Sequence, residues 1–215
     1  NRIPFQLHAA GSDDLSPAQT HQLMRESFQV WDDVATARVR FIDQGETATR
    51  IPAQNDGRNL VYFDESGNHL RAPRGSGVIA VTRINSHSFT GAISDADIIF
   101  NGRDFRFASG SEGWRDNGNL INLKDVAIHE IGHLLGLEHT PLDGPPETRP
   151  TMNPFNRGDG PGEGHSLEPD DIAGISSLYP TTGYQISVGS ISGQVVDLDE
   201  EPLFGTHIKA ENLDT

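Results

Sequence analysis

Eleven residues restrict this chain more than any other stretch: His129-Glu130-Ile131-Gly132-His133-Leu134-Leu135-Gly136-Leu137-Glu138-His139, an HExxHxxGxxH pattern. His129 and His133 are four apart, so a helix places both imidazoles on one face, one turn from each other. Two neutral imidazoles in that arrangement can share a metal ion. Glu130 follows the first of them and can reach the metal's open position, where it would take a proton from water. Gly136 lets the chain turn with positive φ, which a residue bearing a Cβ resists. That turn would return His139 as a third ligand. Three protein ligands leave a fourth position open, the arrangement of a catalytic rather than a structural zinc. A lone HExxH is a weak signal, because ordinary surface histidines fall at that spacing by chance. Gly136 and His139 add two fixed positions with separate geometric roles. Val126, Ile128, Ile131, Leu134, Leu135 and Leu137 suit a buried helix, expected from about Asn122 to Leu137.

Length and charge narrow the setting of this site. A chain of 215 residues suits one ordinary domain plus an appendage and can bury a real core. Its 31 acidic and 16 basic residues give a net charge of −15. That balance lacks the basic footprint of a nucleic-acid binder and is not drawn to anionic membranes. No apolar run is long enough to span a bilayer, so no membrane insertion is expected. There is no cysteine, hence no disulfide. The start at Asn1, with no signal-like segment, reads as a mature or trimmed form.

In chain order, Ile3 to Leu7 alternates as a first strand. Ser16-Pro17-Ala18-Gln19 opens a helix, with serine as N-cap, proline at the first position and Gln19 completing a capping box. Met24, Phe28 and Trp31 fall at helical spacing, beside Leu23, Val30 and Val34, and are assigned to core packing against a sheet. Further strands are expected at Ala37–Ile42, Asn59–Phe63, Gly77–Ile84 and Ala92–Asn101, with Gly45 to Gly57 a polar, exposed loop. His69 and His87 stand alone in polar surroundings and read as solvated rather than as ligands. On the strand of Asp95 and Asp97 one side is acidic, which fits either a calcium ion or a solvated face. Phe105 to Gly118, with Trp114, reads as a loop, as do Thr140 to Pro150 and the Gly-rich surroundings of His165. A closing helix runs from Pro169 to Leu178, its first turn carrying Asp170 and Asp171 at the positive helix end. After 181–187, expected as a linker, Ser190–Asp197 and Thr206–Ala210 alternate around a turn at Glu200-Glu201-Pro202.

The motif of the opening stretch is a metzincin signature, and within the metzincins the chain most resembles the matrixins. Thr151-Met152-Asn153-Pro154 resembles the family's Met-turn, which implies that Met152 lies beneath the metal. The segment from Leu167 to Tyr179 is similar to the closing helix of matrixin catalytic domains. Gly77-Val78-Ile79-Ala80 resembles the edge strand over the matrixin cleft, and Asp95–Phe100 the next strand. The resemblance covers residues 1–180 and is strongest over 123–179. It implies an α+β fold: a twisted, mostly parallel five-stranded sheet with an active-site helix and a closing C-terminal helix. It implies one catalytic zinc on His129, His133 and His139, Glu130 as general base, and calcium as a further ion. It implies a polypeptide substrate held by Ile79 and Ala80, with Pro154 and Phe155 lining the pocket after the scissile bond. A secreted or extracellular, monomeric endopeptidase follows from the same resemblance.

Several positions depart from the family. Val81 and Asp97 stand where matrixins carry histidines for a second, structural zinc, so only one zinc is expected. Asn156 replaces a tyrosine of the specificity-pocket wall, and the span from His139 to Met152 is long and rich in proline and glycine. Without cysteine the chain lacks the residue that blocks the zinc in many matrixin propeptides. Residues 188–215 resemble the opening of an immunoglobulin-like sandwich of the carboxypeptidase-regulatory type, either cut short or docked as a hairpin. Rival readings remain: the tail could be a surface-attachment or carbohydrate-binding domain, and two others concern the site itself. A thermolysin-type site would take a downstream glutamate as third ligand, against which His139 argues. A catalytically vestigial zinc-bearing adhesion or binding module is the other, against which the intact set of ligands and Glu130 argues.

Overall fold

Alternation along the first strand buries Phe5 and Leu7 at 4% and 1% exposure, while Gln6 between them is half-buried. This strand, β1 (Arg2–His8), is the second of five in a sheet ordered β2-β1-β3-β5-β4. A computed structural model describes residues 2–53, 55–110, 120–140, 149–155, 166–189, 191–203 and 206. The strands are β1, β2 (Arg40–Thr47), β3 (Asn59–Phe63), β4 (Ala80–Ser86) and β5 (Ile93–Phe100). Pairings β1/β2, β1/β3 and β3/β5 are parallel, and β4/β5 is antiparallel. The sheet is thus mostly parallel, with β4 on its edge, as expected.

Helix α1 (Pro17–Asp32) starts where the sequence signals it. Ser16 accepts a hydrogen bond from the Gln19 backbone N–H, and the Gln19 side chain returns to the Ser16 backbone N–H. Met24, Phe28 and Trp31 are buried against the sheet, Phe28 stacked on Phe5 with ring centroids 3.8 Å apart. The indole N–H of Trp31 donates to the Ile128 carbonyl (2.9 Å), which ties α1 to the next long helix, α2 (Leu123–Leu134). The short parallel pair β6 (Arg106–Ala108) and β7 (Leu120–Asn122) leads directly into α2. The closing helix α3 (Pro169–Leu178) packs on the far side, where Tyr179 donates its hydroxyl to the Leu135 carbonyl (2.9 Å).

The second strand departs from expectation at both ends. It begins at Arg40 rather than Ala37, because Ala37 instead bridges to Pro180 and Arg38 N–H donates to the Tyr179 carbonyl (2.6 Å). That strand then runs on to Thr47, through a stretch read as loop. A bulge opposite Phe5/Leu7 absorbs the extra residue, and Gly45 (φ +82°) supplies a conformation that side-chain-bearing residues resist. Residues 182–187 form a short helix, α4 (Thr182–Ser187), which Thr181 caps by accepting from the Tyr184 N–H (3.2 Å). Beyond it, Val196 bridges Pro202 around a tight turn. Trp114, residues 141–148, Asn156, His165 and residues 207–210 lie outside the described residues. Among the described residues no helix is long and apolar enough to cross a membrane.

Candidate metal centre

Helix α2 carries His129 and His133 on one face and stops at Leu135. Its end is built from two hydrogen bonds: Gly136 N–H to the His133 carbonyl (2.8 Å) and Leu137 N–H to the Gly132 carbonyl (3.0 Å). This is a Schellman stop, and it requires the positive φ that Gly136 adopts (+94°). The helix is therefore three residues shorter than expected, since the turn begins at the glycine. The turn brings His139 back over the helix.

The three Nε2 atoms form a nearly equilateral triangle: 3.1 Å from His133 to His129, 3.1 Å from His133 to His139 and 3.2 Å from His129 to His139. Tetrahedral zinc about 2.0–2.1 Å from each nitrogen would set them about 3.3 Å apart, so the donor set fits the ion closely. The tautomers are fixed from behind. His129 Nδ1 lies 2.7 Å from the Thr151 carbonyl and His133 Nδ1 2.7 Å from the Leu137 carbonyl. A carbonyl only accepts, so Nδ1 of each ring holds the proton and Nε2 presents a lone pair to the shared point. Burial pushes the His129 imidazole down to about 4, so it stays neutral across the physiological range. His139, the most exposed of the three, is also lowered by burial and by His133. Among the described residues this is the one trio of histidine or carboxylate side chains with metal-ligand spacing. His69, edge-on to Tyr62, and His87, exposed at a hairpin tip, stand apart from it.

Beside the triangle lies a cleft of about 370 Å³, lined by His129, Glu130, His139, Ile79, Ala80 and Pro154 among others. The expected substrate-contact residues Ile79, Ala80 and Pro154 are thus brought together there. Phe155 is not in that lining and is 57% exposed. Glu130 is 5% exposed, and burial raises its carboxyl while a hydrogen bond from Thr82 pulls it back down. Met152 is buried below α2. A Cβ placed on Gly132 would overlap its sulfur and stand 3.0 Å from Cζ2 of Trp31, so the glycine is what lets the turn come this close.

Asp171 holds that turn. Its carboxylate accepts N–H groups from Thr151 (2.8 Å), Met152 (3.1 Å) and Glu168 (2.9 Å). The sequence marks this residue only as an acid in a first helical turn, and gives no sign of partners 20 residues away. Asp95 and Asp97 correct a second expectation. They are 1% and 2% exposed, and accept the N–H groups of Asn55, Arg58, Ala53 and Leu60 at 2.8–3.0 Å. The acidic side is therefore not a solvated face. It clasps the backbone of Ala53, Asn55, Arg58 and Leu60.

The sequence model of the matrixin family matches residues 1–180. The chain belongs to the matrixins. Relatives include the macrophage metalloelastase of Rattus norvegicus, 31% identical over 77% of this chain and 30% of that protein. The interstitial collagenase of Bos taurus is 29% identical over 86% of this chain and 33% of its own length. Karilysin of Tannerella forsythia is 29% identical over 84% and 32%. The chain spans about a third of the length of these relatives. Membership of this family accounts for the α+β metzincin fold.

Proposed function

We propose that this matrixin is a zinc-dependent endopeptidase in which His129, His133 and His139 hold the metal and Glu130 is the general base. The observation that carries the reading is the triangle of three Nε2 atoms, 3.1–3.2 Å apart, opening on the same cleft as the Glu130 carboxylate. Zinc held there supplies a Lewis acid that acidifies water and polarises a carbonyl. The protein's own groups do the rest. β4 ends the sheet, so its outer backbone groups are available to pair with an extended polypeptide. Ile79 and Ala80 lie at the start of that edge, and Pro154 forms the opposite wall. The Glu130 carboxylate takes the proton of the attacking water and delivers it to the amine of the departing chain. Met152 supports the floor under α2. Residues 1–180 form the catalytic domain on this reading, and 188–215 begin a separate β unit. Cleavage of extracellular protein fits the collagenase and elastase named among the relatives.

The test is Glu130→Gln, which preserves side-chain volume in a buried site. About one zinc per chain should remain, while casein cleavage falls by about 10²–10⁴-fold. Cleavage within threefold of wild type would remove Glu130 from the mechanism. Loss of zinc from His139→Ala distinguishes this site from one with a downstream glutamate as third ligand.

A further inference from the structure

The edge strand faces two ways. Toward one side, Asn85 Nδ2 reaches Asp95 (3.3 Å), and Arg83, two residues earlier on the same face, is paired in register with Asp97. Ala80 and Thr82 point to the other side, toward α2 and the cleft. Thr82 Oγ1 lies 2.6 Å from Oε2 of Glu130 and 3.0 Å from the Glu130 carbonyl oxygen. A hydroxyl has one proton to give, and the shorter contact to a charged acceptor takes it. Among the described residues no other side chain hydrogen-bonds this carboxylate.

We propose that Thr82 is a positioning residue for the general base: its hydroxyl pins one carboxylate oxygen of Glu130 and so aims the other into the cleft. The proposal rests on the reading of Glu130 as base. Three features suit Thr82 to the task. A β-branched side chain on a strand has few χ1 options, so the hydroxyl is held in place at little entropic cost. Strand β4 is itself fixed by antiparallel pairing, Thr82 opposite Ile98, which is fully buried. Glu130 leaves α2 two residues after Ile128, whose carbonyl is tied to the Trp31 indole. Two rigid elements thus meet through one short hydrogen bond. Among the described residues the Thr82 hydroxyl is the one side-chain hydrogen bond that selects a rotamer of this carboxylate. Without the hydroxyl it would sample several orientations, and a displacement of about 1 Å in a reacting group can cost about a hundredfold in rate. The arrangement also couples substrate binding to catalysis. The strand that pairs with the polypeptide is the strand that orients the base.

The experiment compares wild type with Thr82→Val, Thr82→Ser and Glu130→Gln, each loaded with zinc and each assayed on one peptide substrate. Thr82→Val keeps the volume and the β-branch but loses the hydroxyl. It should keep one zinc per chain and a KM within about twofold, while kcat falls by about 10–100-fold. Thr82→Ser should recover most of that loss. A readout independent of turnover is the carboxyl stretch of Glu130 in the zinc-free protein, isolated by infrared difference against Glu130→Gln. It should shift in Thr82→Val and return in Thr82→Ser. An unchanged kcat and band in Thr82→Val, with Glu130→Gln inactive, would overturn the proposal and leave the base assignment standing. A Thr82→Val loss that comes with lost zinc, or that serine does not repair, would also overturn it, in favour of a purely structural threonine. Full activity in Glu130→Gln would sink both readings together.

Discussion

Replacing Asp171 with alanine leaves three backbone N–H groups without their acceptor at the joint between α3 and the Met152 turn. The magnitude follows from where those donors sit. The Met152 N–H is buried, so its loss costs about 2 kcal/mol. Those of Thr151 and Glu168 are partly buried and can find water, which lowers each to about 1 kcal/mol. Against this total of about 4 kcal/mol, removing a buried carboxylate returns something. Burial raises the Asp171 carboxyl, and the three donors do not fully pull it back down. The net loss therefore lies below that total of about 4 kcal/mol but well above the roughly 0.5 kcal/mol of an ordinary exposed substitution. The consequence reaches the metal, because the Thr151 carbonyl in the same turn holds His129 Nδ1. A loosened second shell lowers metal affinity by about 10–100-fold. Denaturant unfolding of the zinc-free protein reads the first number, and a competition titration with a zinc-binding dye reads the second. Asp170→Ala is the control: its side chain is exposed one residue away, and it should stay within about 0.5 kcal/mol of wild type. If Asp171→Ala matches that control in stability and in zinc affinity, the clasp is ornamental and the reasoning is refuted.

Two other outcomes are expected. Gly136→Ala should cost about 1–2 kcal/mol, because φ is +94° there and the new methyl would stand 3.3 Å from Ile93; it should also weaken zinc binding by displacing His139, and wild-type zinc affinity would rule out the turn as the device that positions that ligand. Burial, with Asp95 beside it, raises the Asp97 carboxyl from 3.8 to about 7 against the pull of its backbone donors. Between those values the folded chain keeps a proton that the unfolded chain releases, so this group makes stability fall as pH rises from about 4 to about 7. Asp97→Asn should flatten that part of a stability–pH curve, and an unchanged slope would assign the titration to another group.

The eleven-residue motif made the metal trio legible before any fold was considered. Its information is local: helical spacing aligns His129 with His133, and a glycine at the right distance turns His139 back. The N-terminal cap of α1, the apolar stripe of Met24, Phe28 and Trp31, and the edge position of the fourth strand were readable for the same reason, since each is encoded within one turn or one strand. The acidic pair at Asp95 and Asp97 was legible as an acidic face, but its burial and its partners were not. Alternation placed both on one face, but only the folded chain shows four backbone N–H groups meeting them from the 53–60 segment.

What the sequence by itself determined was the kind of chemistry: three imidazoles and a carboxylate at spacings that only a metal site explains well. What the tertiary structure decided was how that chemistry is held. Thr82 meets Glu130 across 48 residues of chain, and Asp171 meets Thr151 across 20. A threonine on a strand and an aspartate in a first helical turn are ordinary in any sequence. Their roles come from which donor and acceptor the packed sheet and helices bring within 3 Å, and no periodicity along the chain carries that distance.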